Sequence, residues 1–252
     1  WTRTLALRRL MHEGRSTMTD TSGQHQPQTT AAIIVAAGSG RRFGDHEKVF
    51  LELAGRPLLL WSTECFRSHP AIDIVVVVLG QHTIEQGRAL LDAAGHSDVL
   101  TCLGGAERSD SMRAGLLCVA DADIVLVHDA ARPLLSEVLV SRVIDAARAH
   151  GAAIPVLPVS DTLHRRSATG ESAGIVERSE LAAAQTPQAA RREWLLSALA
   201  TEGSPTDEGG MLQAAGYPVA LVEGDLRNIK ITWPFDLAIA RAIVAATAEG
   251  TL

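Results

Sequence analysis

The sequence predicts an α/β protein built on a mostly parallel, twisted sheet with helices on both faces. Three observations carry this reading. Short β-branched runs, Ala31 to Ala37 and above all Ile72 to Leu79, have the continuous apolar character of strands buried on both faces. Amphipathic stretches separate them, so strand and helix alternate as in βαβ units. Glycine turns follow directly after strands, and in such sheets ligands bind beyond the strands' carboxyl ends. A chain of 252 residues with 46% hydrophobic content is long enough for one sizeable core, and 31–252 is expected to form one domain.

Residues 1–30 end in a Ser/Thr/Gln tract that buries too little apolar surface to order itself. A dispensable, disordered extension is expected, with Met18 a candidate start and no secretory h-region or cleavage site. The strand Ala31 to Ala37 then runs into Gly38-Ser39-Gly40, whose small residues let backbone N–H groups approach an anion. Arg41, Arg42 and Lys48 bring cations to the same place. A plain strand-to-helix connection is the competing reading. The spacing excludes the dinucleotide fingerprint, which needs a small residue at Phe43, and the P-loop, which needs Gly-Lys-Ser/Thr.

Pro57 suits the first turn of a helix carrying Leu58, Leu59, Trp61, Cys65 and Phe66. After the Ile72 to Leu79 strand, a helix over Thr83 to Ala94 stops at Gly95, and Val99 to Leu103 forms another strand. Gly104 to Gly115 is a glycine turn opening a helix whose start is marked by Ser109, Asp110 and Ser111. A helix N-terminus there can hold a base, ribose or phosphate, with Arg108 adding a cation; the competing reading is a well-capped helix.

Strand Ile124 to Val127 leads into His128-Asp129-Ala130-Ala131-Arg132-Pro133. A carboxylate at a strand's carboxyl end beside a phosphate site suits Mg²⁺, which takes one or two protein carboxylates plus phosphate oxygens. Otherwise Asp129 is a turn former. Helix Glu137 to His150 ends at Gly151. Ala152 to Val159 reads as a strand at an edge or with a bulge, because Pro155 and Pro158 cannot donate to a ladder. Ser160 to Glu180 is polar and too long for a routine connection, which suggests a β-hairpin arm (160–180) reaching a partner subunit.

Thr186 and Pro187 suit the N-cap and first position of a helix carrying Trp194, Leu195, Leu196 and Leu199. Thr206-Asp207-Glu208 reads as a second helix start, where acidic residues suit the macrodipole. Val219 to Val222 and Asn228 to Thr232 are the last strands, the second delivering Lys230. Phe235 to Ala246 forms the terminal helix, with Leu237, Ile239, Ala240, Ile243 and Val244 to bury.

A net charge of −6 and a pI near 5.8 argue against a broad nucleic-acid or lipid surface. No stretch is long and apolar enough to cross a bilayer. Cys65, Cys102 and Cys118 show no C-x-x-C pairing and read as reduced core thiols of a cytoplasmic protein. Of 23 basic residues only two, Lys48 and Lys230, are lysines. Two lysines that persist in so arginine-rich a chain are suspects, since a compact ammonium suits a single phosphate oxygen in a tight site.

Six blocks, AAGSGRRF, GGAERSDS, VHDAARP, DTL with IVERSEL, QTPQ, and TDE with NIKIT, occur in an order that resembles the 2-C-methyl-D-erythritol 4-phosphate cytidylyltransferase family. The resemblance covers essentially all of residues 31–245. It implies a Rossmann-like nucleotidyltransferase fold with a protruding β-arm, a homodimer through exchanged arms, a need for Mg²⁺ or another divalent cation, and transfer of the cytidylyl group of CTP to methylerythritol phosphate. On it, Arg42 and Lys48 hold the triphosphate, Lys230 neutralises the α-phosphate, and Arg178 stands with them among the catalytic residues. Ala36, Ala37, Gly38, Ser39, Gly40, Arg41, Gly105, Ala106, Ser111 and Asp129 surround the nucleotide, with Asp129 the metal ligand. Arg178, Thr186 and Thr206 surround methylerythritol phosphate, and Arg132 and Thr162 reach it across the dimer.

The chain departs from the family's pattern in the first loop, where Glu47-Lys48-Val49 replaces Pro-Lys-Gln, one residue early. Arg41 is then an alternative to Arg42. Ala106 also replaces an acidic residue. The rival readings are a cytidylyltransferase for another polyol phosphate, such as ribitol 5-phosphate, and a non-catalytic nucleotide-binding regulator. At this length a fused second pathway enzyme is not expected. All of this requires that the dispersed cations and Asp129 meet in one pocket.

Overall fold

Strands form where β-branched residues run without interruption, and their alternating side chains divide the core into two layers. The computed structural model describes residues 28–38, 47–201 and 207–251. In chain order the elements are β1 (Thr30–Ala36), β2 (Glu52–Leu53), β3 (Arg56–Pro57), α1 (Leu58–Ser68), β4 (Ile74–Leu79), α2 (Ile84–Ala93) and β5 (Leu100–Leu103). There follow α3 (Arg108–Cys118), β6 (Ile124–Asp129), α4 (Glu137–His150), β7 (Ala152–Pro158), β8 (Leu163–Arg166), β9 (Ser172–Val176) and β10 (Ala182–Ala184). The last are β11 (Gln188–Arg191), α5 (Arg192–Ala198), α6 (Glu208–Ala214), β12 (Ala220–Glu223) and α7 (Pro234–Ala248).

The main sheet has the order β10-β7-β11-β6-β1-β4-β5, with β12 against β7. β6, β1, β4 and β5 run parallel, while β11 is antiparallel to both β6 and β7. Ala32, Ile34, Val75, Val77 and Leu79 face α1 and α4, and Ile33, Val76 and Val78 face α3 and α5. Full burial of each Ile or Leu stabilises the fold by about 1.5–3 kcal/mol. A third, smaller cluster joins Leu53, Leu58 and Ile231 to Ala240 of α7. No helix of the described residues is long and apolar enough to cross a membrane.

Five expectations need correction. No helix starts at Thr186-Pro187: Gln188–Arg191 is an antiparallel strand wedged between β6 and β7, and the helix begins at Arg192. Its two central residues, Ala189 and Ala190, are small enough to lie buried in mid-sheet. β7 is interior, not an edge. Its prolines are tolerated because β11 pairs with Ala152 and Ala153 while β10 pairs with Val156 to Pro158, so Pro155 sits where one partner gives way to the next. Residues 228–232 form no ladder; the segment is held by single contacts such as the Ile231 N–H to the Ala131 carbonyl, 2.8 Å. In α7 the buried stripe is Leu237, Ala240 and Val244, and Ile239 lies off it, 40% exposed. Cys118, expected in the core, is also exposed. The expected extension lies outside the described residues up to position 27.

Helix α4 ends as its sequence predicts. Ser136 caps its start by accepting from the Leu139 N–H, and Gly151 ends it at φ +89°. A Cβ on Gly151 would lie 2.2 Å from the Trp194 ring. Gly151→Ala is therefore expected to destabilise the protein by roughly 2–4 kcal/mol, combining left-handed strain with overpacking. Urea unfolding measures this, and an unchanged midpoint would refute it.

Candidate active site

Parallel strands of similar length end level with one another, so the turns that follow β1, β5 and β6 come together. Val35 pairs with Asp129 across β1 and β6, and the Ala130 N–H donates to the Val35 carbonyl at 3.1 Å. On the other side the Gly104 N–H donates to the Leu79 carbonyl at 2.8 Å. Between these turns lies a cleft of about 200 Å³ whose lining includes Gly38, Lys48, Gly105, Arg108, Asp129 and Lys230. Ala36, Ala37, Ala106 and Ser111 also line it. Gly104 permits this closeness, since a Cβ there would meet the Ser111 Oγ at 2.6 Å and the Ala37 Cβ at 2.7 Å.

Asp129 organises the charges. Its Oδ2 accepts from the Lys230 Nζ at 2.7 Å, and its Oδ1 accepts from the Arg108 Nη2 at 3.2 Å. Arg108 also donates through both terminal nitrogens to Glu208, which is 1% exposed. Burial opposes ionisation of Asp129, but Arg108 and Lys230 outweigh it and hold the carboxyl well below the usual carboxylate range. Burial pushes the Glu208 carboxyl up, with Arg108 opposing. Lys48 also lines the cleft, its Nζ donating to the Ile231 carbonyl, next to Lys230, at 3.0 Å. Three cations thus face one cleft in which the exposed end of β6 carries an ionised carboxylate.

Asp129 has a buried brace behind it. The His128 ring lies edge-on to Phe66, centroids 5.3 Å apart, with its Nε2 3.0 Å from the Arg132 carbonyl. A carbonyl only accepts, so Nε2 carries the proton and Nδ1 accepts from the Thr186 hydroxyl, 3.1 Å away. That same hydroxyl oxygen accepts from the Asp129 N–H at 3.1 Å. Burial drives His128 down to about 4, which keeps the ring neutral and this arrangement intact.

Of the residues singled out in the sequence, the structure brings Ala36, Ala37, Gly38, Lys48, Gly105, Ala106, Ser111, Asp129 and Lys230 to one cleft. Ser39, Gly40, Arg41, Arg42 and Thr206 lie outside the described residues. Arg132, Thr162, Arg178 and Thr186 do not line the cleft. Arg132 donates to the Asn228 carbonyl at 2.8 Å, and Arg178 donates to the Ser160 carbonyl at 2.6 Å below the β8–β9 hairpin. Thr186 is buried behind Asp129. Glu208 was read only as a helix start. The signal for its role was Arg108: a cation at the first position of a helix opposes the macrodipole and needs carboxylates beside it.

Comparison with known proteins follows this geometry. Residues 30–246 match the family model described as 2-C-methyl-D-erythritol 4-phosphate cytidylyltransferase. The chain is 42% identical over 216 residues to the Rhodococcus jostii protein of that name, covering 84% of this chain and 94% of the relative. It is 43% identical over 214 residues to the bifunctional enzyme IspD/IspF of Desulfotalea psychrophila, covering 83% of this chain and 55% of the relative, so it spans about half of that longer protein. The crystal structure of the Thermus thermophilus cytidylyltransferase superposes with a TM-score of 0.70 at 36% identity, covering 84% of this chain and 98% of that one.

The His128 brace predicts a pH dependence. The ring titrates near 6.5 in an unfolded chain and about 4 in the folded protein. Between these values the unfolded chain binds more protons, so the contribution is complete above pH 6.5 and is lost as pH falls towards 4. It amounts to about 3 kcal/mol. Urea unfolding at pH 7 and pH 5 should show His128→Asn losing stability at the higher pH and less at the lower. A difference from wild type that does not depend on pH would contradict the assignment.

Proposed function

Because this chain belongs to the 2-C-methyl-D-erythritol 4-phosphate cytidylyltransferase family, we propose that the cleft at the ends of β1, β5 and β6 is where it carries out that reaction. The enzyme transfers the cytidylyl group of CTP to 2-C-methyl-D-erythritol 4-phosphate, giving 4-diphosphocytidyl-2-C-methyl-D-erythritol and pyrophosphate, a step of isoprenoid biosynthesis. One observation carries the site reading: Lys48, Arg108, Asp129 and Lys230, far apart in sequence, line a single cleft beside two glycine turns.

The substrate phosphate attacks the α-phosphorus of CTP in line. One P–O bond forms as the bond to pyrophosphate breaks, and no side chain becomes covalently attached. The chemistry asks the protein to bring two anions together and to offset charge on the α-phosphoryl oxygens. Lys48 and Lys230, both held beside Ile231, do this, with Arg42 holding the triphosphate. Gly38 and Gly105 give the nucleotide room against the backbone. Arg132, Thr162, Arg178, Thr186 and Thr206 serve the methylerythritol phosphate side. For Thr186 the contribution runs through the Asp129 N–H that its hydroxyl holds.

Asp129 fits a hard divalent cation. It is an oxygen donor, kept ionised by Arg108 and Lys230, and it stands in the cleft. Such an ion takes one or two protein carboxylates and is completed by phosphate oxygens and water. Bound there, Mg²⁺ would neutralise phosphate charge.

The β8–β9 arm supports a homodimer, since Ile175 is 68% exposed on it and no element among the described residues covers it. Cys65, Cys102 and Cys118 are free thiols, as the reducing cytoplasm maintains them.

Pyrophosphate release from CTP, followed with methylerythritol phosphate and with ribitol 5-phosphate, tests the substrate, and turnover is expected with the first alone. Lys230→Ala should lower kcat about a hundredfold, as loss of one charge-stabilising contact does. An unchanged kcat removes Lys230 from the mechanism. Deleting residues 163–176 should yield a monomer by light scattering; a dimer that survives would place the interface elsewhere.

A further inference from the structure

Lys230 lies in a segment without strand or helix, between β12 and α7. Its ammonium ends a long, half-exposed side chain, so its place in the cleft depends on how the backbone beneath it is held. Several groups hold that backbone, Arg132 at the Asn228 carbonyl and the Ala131 carbonyl at the Ile231 N–H among them, and one buried side chain, Gln185, 5% exposed, bonds both ends of the turn that precedes it. The Gln185 Oε1 accepts from the Asp225 N–H at 3.0 Å, and its Nε2 donates to the carbonyls of Asp225 at 2.9 Å and Asn228 at 3.2 Å. One amide thus grips both ends of the turn 225–228, two residues before Lys230.

The backbone that carries this side chain is itself fixed. The Gln185 N–H donates to the Pro155 carbonyl at 2.8 Å, and the Gln188 Nε2 donates to the Gln185 carbonyl at 3.2 Å. Gly224 makes room for it, because a Cβ there would lie 2.5 Å from the Gln185 Oε1 and 3.0 Å from the Val156 carbonyl oxygen. The chemistry of the grip requires glutamine. One acceptor must meet an N–H while two donors meet carbonyls, and glutamate at this position would turn an acceptor-only oxygen towards two carbonyls. Asparagine is one methylene too short.

We propose that Gln185 is a positioning residue for Lys230: it fixes the 225–228 turn, and through it the direction from which the ammonium reaches the α-phosphate. It touches no substrate. The proposal rests on the role given to Lys230 above and adds to it the side chain that makes that role possible. A displacement of about 1 Å at a reacting group costs on the order of a hundredfold in rate, so a loosened turn is felt in turnover. Nucleotide affinity is spread over the remaining contacts of the cleft and is much less sensitive.

The test is a double-mutant cycle on the full-length enzyme, with kcat, KM for CTP and the thermal midpoint measured for each form. Gln185→Glu is expected to lower kcat roughly ten- to a hundredfold, with KM for CTP moving less than about threefold. In a Lys230→Ala background the same change should lower kcat less than about twofold, because the group it positions is gone. Gly224→Ala, which crowds the same amide, goes through the same cycle and serves if Gln185→Glu does not fold. An unchanged kcat in the single variants, or a loss as large with Lys230 as without it, overturns the proposal. If Lys230→Ala alone leaves kcat intact, the role of Lys230 fails and this inference with it. If Lys230→Ala is slow and the losses add, only the positioning role fails.

Discussion

The Asp129 carboxylate sits between Lys230 on one side and Arg108 on the other, and the remainder of the site is arranged around this contact. Two cations directed into a half-closed cleft repel each other at a local dielectric well below that of water. One anion between them offsets that repulsion, and Glu208 behind Arg108 offsets the rest. Buried ion pairs contribute little to stability once their desolvation is counted, so this array is better explained by what it holds ready than by folding energy. What it holds ready is positive charge in a site that would otherwise expel it, available to a ligand more negative than Asp129.

This constraint explains why so much of the chain serves positions rather than contacts. Asp129 must stand at the end of a rigid strand, and β6 is buried from Ile124 to His128 between β1 and β11. Its backbone must not drift, so the Thr186 hydroxyl takes its N–H while a neutral His128 keeps that hydroxyl oriented. Thr186 in turn belongs to the short stretch Gln185 to Gln188, whose two glutamines tie separate parts of the chain together. Gln185 holds the turn before Lys230, and Gln188 donates to Asp207 at 2.9 Å and accepts from the Gly209 N–H at 2.8 Å, fixing the helix that brings Glu208. One four-residue stretch therefore sets the acid, one cation and the counter-ion of another.

What was legible in the sequence was whatever one local pattern determines. Ile74–Leu79 is a strand because every residue is apolar and most are β-branched; Glu137–His150 is a helix with a serine before it and a glycine after it. That Gly38, Gly105, Asp129 and the two lysines meet in one cleft was legible because glycine turns and a carboxylate follow strand ends and because lysine is scarce in so arginine-rich a chain. β11 was not, since Gln-Ala-Ala-Arg has no strand propensity and becomes a strand through its long-range antiparallel pairing with both β6 and β7, where Ala189 and Ala190 lie buried. Residues 228–232 alternate like a strand, yet their N–H groups go to the nearby Asp225 and Arg227 carbonyls, to the Ala131 carbonyl and to the Asp236 carboxylate rather than to one neighbouring strand. Glu208 looked like an ordinary helix start because its partner, Arg108, lies exactly 100 residues earlier.

The two lysines also share a support that explains why the small third cluster exists. Ile231 is fully buried against Leu53, Leu58 and Ala240, so the β2–β3 hairpin, α1 and α7 all bear on its position. Its N–H goes to the Ala131 carbonyl in the turn after β6, and its carbonyl takes the Lys48 ammonium, while the preceding residue is Lys230 itself. A single buried isoleucine thus joins the Asp129 turn, Lys48 and Lys230 through bonds of about 3 Å. Arginine in place of Lys48 would need more room to make the same contact, since its guanidinium is planar and wide. In a chain that otherwise uses arginine almost throughout, lysine remains at the two places where an ammonium must fit beside this one strut.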